Sequence, residues 1–157
     1  MKLGAQMKKT LSTLTSMMTL SLTGDLSPEA CTELVQEAKE ARTKAYAPYS
    51  NYHVGAALLG KSGSVYLGCN VENASYGLCN CAERTAVFKA VVEGEKEFVA
   101  CAVVTKDGGM PCGACRQVLN EFNPQMLIIS ADEQGQIRMK TTLDQILPHS
   151  FGPANLK

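Results

Sequence analysis

Two short segments carry the chemistry: Cys81-Ala82-Glu83 and Pro111-Cys112-Gly113-Ala114-Cys115. Each precedes a run with helical patterning, so each places cysteines at the start of a helix. There the first amides lack internal partners, and the helix dipole adds partial positive charge that stabilises thiolates. Three thiolates, Cys81, Cys112 and Cys115, make an incomplete tetrahedron for zinc. A structural site closes with four protein ligands, whereas three leave one position for water, as catalytic sites do. Glu83, two residues beyond the first ligand, is placed to take a proton from water at that position and deliver it to a substrate. Three thiolates leave a negative cluster, and Arg84 and Arg116, each directly after one of the key residues, are expected to hydrogen-bond the sulfurs from behind. A bare Cys112/Cys115 pair would equally suit a redox couple or half of a structural zinc site. A purely structural site, however, has no use for Glu83.

The elements that must hold these residues follow from patterning. Ser27, Pro28 and Glu29 form a helix start, and Leu34, Val35, Ala38 and Ala41 recur at helical spacing, which predicts a helix from about Ser27 to Tyr46. Val54 to Leu59 and Val65 to Gly68 flank a Lys61-Ser62-Gly63 turn and predict a hairpin. Helices are expected over Ala82 to Val92 and Gly113 to Phe122, with a buried strand from Val99 to Thr105 between them. Strands over Met126 to Ala131 and Ile137 to Thr141, and a short helix near Leu143 to Leu147, complete the pattern. The expected fold is a three-layer α/β/α sandwich around a mixed five-stranded sheet.

Composition narrows the function classes. Fifteen Lys and Arg balance fifteen Asp and Glu among 157 residues, which leaves no electrostatic footprint for nucleic acid. The seven cysteines are an odd number behind no recognisable signal peptide, so reduced thiols in the cytoplasm are expected rather than a disulfide framework. Cys31, Cys69 and Cys101 are expected as small buried hydrophobes, and Cys79 as a loop residue without a ligand role. His53 and His149 have no ligand spacing to the cysteines. Residues 1–24, with Lys2, Lys8 and Lys9, four Met and no acidic side chain, read as an N-terminal extension, possibly disordered, ahead of a single domain at 25–157. Thr and Ser interrupt Leu11 to Leu22, so no membrane span forms there.

Cys-Ala-Glu at one helix start and Pro-Cys-x-x-Cys at the next match the three-cysteine form of the zinc deaminase pattern. With Ala47-Pro48-Tyr49-Ser50-Asn51-Tyr52, Val54-Gly55-Ala56-Ala57, Asn70-Val71-Glu72-Asn73, Cys81 to Ala86 and Pro111 to Gln117, the chain resembles the small homotetrameric cytidine deaminases over nearly all of Asp25 to Leu156. The resemblance implies hydrolysis of free cytidine and deoxycytidine to uridine and deoxyuridine with release of ammonia, a step of pyrimidine salvage. It also implies one zinc per subunit on Cys81, Cys112 and Cys115, and Glu83 as the catalytic proton shuttle. Asn70 and Glu72 would then bind the ribose and the Tyr52 ring would stack on the base. That position is usually Phe, so Tyr52 brings a hydroxyl that needs a partner. Phe151 would close the pocket of a neighbouring subunit. The implied partners are a small nucleoside and three further copies of the chain, with neither nucleic acid nor membrane.

Overall fold

The computed structural model describes residues 26–156. Helix α1 (Pro28–Arg42) starts at Ser27, whose Oγ accepts from the Ala30 amide at 3.1 Å. Strands β1 (Gly55–Gly60) and β2 (Val65–Cys69) form the hairpin. Helix α2 (Ala82–Val92), strand β3 (Phe98–Val104) and helix α3 (Gly113–Asn120) follow. Strands β4 (Leu127–Ala131) and β5 (Ile137–Thr142) and the short helix α4 (Leu143–Ile146) end the regular structure. The sheet order is β2-β1-β3-β4-β5, with β3 and β4 parallel and every other pair antiparallel. This is the expected mixed five-stranded α/β/α sandwich.

Two apolar layers hold it together. One face of the sheet packs Ala57, Leu59, Ala102, Val104 and Ile129 against Leu34, Val35 and Ala38 of α1. The other packs Leu58, Cys101, Val103 and Ile128 against Ala86, Val87 and Ala90 of α2, with Leu119 of α3. Burying each branched side chain contributes about 1.5–3 kcal/mol. The central strands are buried on both faces, which is why β1 and β3 read as apolar runs rather than alternating ones.

Helix α1 ends four residues before Tyr46, the end that its periodicity suggested. The cause is a distant pairing. The Tyr46 amide donates to Asn70 O at 3.0 Å and the Glu72 amide to Tyr46 O at 2.8 Å, a parallel bridge that pulls the chain out of the helix. Cys31 and Cys101 are buried as expected, but Cys69 is only half-buried. It ends the edge strand β2, where successive side chains alternate between core and solvent.

Two glycines set how closely the helices lie on the sheet. A Cβ on Gly55 would stand 2.0 Å from Ala38 O of α1, and one on Gly68 would stand 2.2 Å from Ala82 O and 2.5 Å from the Ala86 amide of α2. The second contact fixes the end of α2 that bears Cys81. Gly68→Ala is therefore expected to destabilise the protein by about 2–3 kcal/mol or more, read from the urea unfolding midpoint. A midpoint unchanged from wild type would show that α2 can retreat freely.

Candidate active site

Cys81 is the N-cap of α2 and Cys112 the N-cap of α3, and neither thiol caps its own helix. Both sulfurs are thus free to face the space where the two helix starts converge. Cys115, in the first turn of α3, is fully buried and faces the same point. The three Sγ atoms lie within 4.8 Å of one another. Two thiolates on neighbouring corners of a zinc tetrahedron stand about 3.8 Å apart, and Cys81 Sγ and Cys112 Sγ are 3.9 Å apart. The donor set fits a zinc ion with one position left over.

The electrostatics agree. Hydrogen bonding from Cys115, then from Arg84 and Cys112, pulls the Cys81 thiol down to about 5 despite its partial burial. Cys115, the partner in that bond and itself desolvated, is pushed up. Arg84 reaches the cluster as expected, with Nη2 donating to Cys81 Sγ at 3.5 Å and to Cys79 O at 3.3 Å. Its Nε is buried and has no hydrogen-bond partner. Arg116 is placed otherwise. Its Nε donates to Pro111 O at 2.7 Å and its Nη1 to Ile146 O at 2.9 Å. It pins the loop bearing Cys112 to the end of α4 instead of bonding a thiol.

Beside the cluster lies a cavity of about 350 Å³ whose wall includes Cys81, Cys112 and Glu83. Glu83 is 3% exposed, and its carboxyl is raised above its usual range, chiefly by burial and further by the Cys81 charge. A carboxyl that resists ionisation beside a metal site is suited to carrying a proton. Tyr52, Asn70 and Glu72 line the same cavity, joined by Ser50, Val54, Asn80, Val103, Thr105, Gly109 and Met110. The sequence brought Ser50 to attention only within a longer segment, and Thr105, Gly109 and Met110 carry no signal of their own.

Asn70 braces the loop that ends in Tyr52. Its Nδ2 donates to Tyr52 O at 2.9 Å and its Oδ1 accepts from the Val54 amide at 2.9 Å. Glu72 accepts from the Tyr49 and Ser50 amides at 2.9 and 3.2 Å and from the Ser50 hydroxyl. These bonds, the Ser50 hydroxyl first, hold its carboxyl below the usual range. The Tyr52 hydroxyl finds its partner in Asp107. Phe151 lies outside this cavity. The residue is 61% exposed while Gln117 Nε2 and Asn120 Nδ2 hold its carbonyl at 2.9 and 3.2 Å. Cys79 lines the cavity but is not among the clustered thiols, its Sγ accepting instead from the Asn73 amide at 3.3 Å.

An α/β/α sandwich with three thiols and a buried carboxyl at converging helix starts has the arrangement of the zinc deaminases. Residues 28–131 match the model of the cytidine and deoxycytidylate deaminase zinc-binding region, and the chain belongs to that family. The cytidine deaminase of Sporosarcina psychrophila is 49% identical over 127 residues, covering 79% of this chain and 93% of the relative. That of Halalkalibacterium halodurans is 54% identical over 121 residues, covering 75% and 91%. Among solved structures, the cytidine deaminase of Burkholderia pseudomallei superposes with a TM-score of 0.73 at 50% identity, over 80% of this chain and 100% of that one.

If the three sulfurs hold zinc, replacing Cys81, Cys112 or Cys115 singly with Ala should lower the bound zinc well below one ion per chain, since each would supply one corner of the tetrahedron. Metal analysis after gel filtration reads this, and undiminished zinc in all three variants would refute the ligand set.

Proposed function

We propose that this chain is a zinc-dependent cytidine deaminase acting on free cytidine and deoxycytidine, with one zinc per subunit on Cys81, Cys112 and Cys115. The observation that carries the reading is Glu83, a buried carboxyl on the wall of a nucleoside-sized cavity, two residues from a thiol of low pKa. Bound zinc would act as a Lewis acid that makes water nucleophilic at neutral pH. Glu83 accepts the proton that this water loses and delivers it to N3 of the pyrimidine as oxygen adds at C4. Its carboxylate then takes the proton of the new C4 hydroxyl and passes it to the exocyclic amine, which leaves as ammonia while the C4 carbonyl of uridine forms. The Tyr52 ring stacks on the base, and Arg84 holds positive charge against the sulfurs throughout.

The sugar end explains the choice of a free nucleoside. An ionised carboxylate offers about four acceptor positions, and Glu72 uses three on Tyr49 and Ser50. One remains for a ribose hydroxyl. A 3′-phosphate, present at every internal nucleotide of a strand, would instead meet that anion at contact distance, at a cost of several kcal/mol. The balanced overall charge supplies nothing to offset it.

We place the catalytic domain at 25–157 and read residues 1–24, which lie outside the described residues, as an extension that the reaction does not need. The protein is a homotetramer whose sites are shared. Phe151, anchored through its carbonyl with its ring turned outward, reaches into a neighbouring copy. Among the described residues no helix is long and apolar enough to cross a membrane, and the cytoplasm, where thiols stay reduced, is the expected compartment.

Incubation with cytidine should lower the substrate's absorbance and release ammonia in step, whereas a cytosine-containing oligonucleotide should be left intact. Glu83→Gln should keep its zinc but lose at least about a hundredfold in turnover. Near-normal rates for that variant, or equal rates on nucleoside and oligonucleotide, would overturn the reading. Light scattering should report a tetramer for the full chain and for residues 25–157 alike, and an active monomer would contradict the shared site.

A further inference from the structure

Two loops from different parts of the fold wall the cavity. Residues 47–54 follow α1 and contribute Tyr52, while residues 105–110 join β3 to α3 and contribute Gly109 and Met110. A side-chain contact links them: the Tyr52 hydroxyl donates to Asp107 Oδ1 at 2.6 Å. The same Oδ1 accepts from Thr105 Oγ1 at 3.1 Å, and Thr105 Oγ1 in turn accepts from the Gly109 amide at 2.6 Å. The loops lie so close that a Cβ on Gly109 would stand 3.0 Å from the Tyr52 hydroxyl.

None of this is needed merely to present an aromatic face, for which a phenyl ring would serve. The hydroxyl instead joins the ring to the loop that runs on into Pro111 and Cys112. We propose that Asp107 is a positioning residue for nucleoside binding, fixing the Tyr52 ring at its stacking angle and tying the base-binding wall to the segment that carries two of the three thiols. The assignment rests on the deaminase reading of the cavity. The Asp107 carboxyl is held below its usual range, first by the Tyr52 hydroxyl and then by Thr105, so it is charged at neutral pH and the bond is charge-assisted. Without it, the ring of a residue that is 38% exposed would regain rotational freedom and lose it again each time a nucleoside binds.

That recurring ordering cost corresponds to a loss of roughly three- to tenfold in affinity. The test uses the full-length zinc-loaded protein, with uridine affinity measured by calorimetry and cytidine turnover by steady-state kinetics. Tyr52→Phe and Asp107→Ala should each raise the uridine Kd and the cytidine KM by roughly three- to tenfold, with a smaller change in kcat and zinc content intact. The double variant should be no worse than either single one, because both remove the same bond. Asp107→Asn, whose amide oxygen still accepts from the Tyr52 hydroxyl, should recover most of the loss. Unchanged affinity in both single variants, additive losses in the double variant, or an Asp107→Asn as weak as Asp107→Ala would overturn the assignment while leaving the deaminase reading standing. A wild type that neither binds uridine nor converts cytidine would overturn that reading and this assignment with it.

Discussion

The rest of the structure depends on two helix starts being brought to one point. Cys81 and Cys112 occupy the N-cap positions of α2 and α3, and their sulfurs can meet because both helices pack into the same core layer on one face of the sheet. The parallel pairing of β3 and β4 requires a connection that crosses back over the sheet, and α3 is that connection. Gly68 lets α2 settle against β2 with its first turn against the strand backbone. The sheet order is therefore a device for aiming two dipoles and three thiols at one small volume.

Inside that volume, charge is kept in balance by arrangement rather than by solvent. Arg84 and the helix starts favour thiolate, whereas burial and the neighbouring sulfur charge disfavour carboxylate at Glu83. The two groups are driven in opposite directions by one environment within three residues of sequence, which is the separation that the proposed metal-binding and proton-carrying roles require. At the other end of the cavity, Glu72 is kept ionised by backbone amides and a hydroxyl. In one cavity, Cys81 and Glu72 thus favour ionisation while Glu83 resists it.

Much of this was legible in the sequence where chemistry demands a side-chain type at a local position. Cysteines at helix starts, a glutamate two residues on and an apolar 2- or 3.6-residue period are local signals, and they pointed to the thiol cluster, to Glu83 and to the strands and α-helices, though not to the 3-10 turns at Tyr76–Leu78 and Pro153–Leu156. What was not legible depended on contacts between distant segments. The end of α1 is set by Tyr46 pairing with residues 70–72, which no periodicity reports. Arg84 and Arg116 occupy equivalent places beside the two motifs, yet one meets a thiol and the other the carbonyls of Pro111 and Ile146. The difference lies in α4, which packs at the start of one helix only. Asp107 sits in a Lys-Asp-Gly-Gly loop that reads as an ordinary turn, and its meaning comes entirely from the hydroxyl 55 positions earlier.

The contacts of Arg42 bear on how the site comes apart. This last residue of α1 donates through Nε to His53 O at 2.9 Å and through Nη2 to Glu133 at 3.0 Å, so the cavity loop that carries Tyr52 hangs from a helix on the far face of the sheet. The thiols are rooted in α2 and α3 on the near face. The two halves of the cavity therefore answer to different layers of the sandwich. Heat or denaturant that loosens α1 first would leave a protein still holding its metal but blind to its substrate, so retained metal is no certificate of a working enzyme.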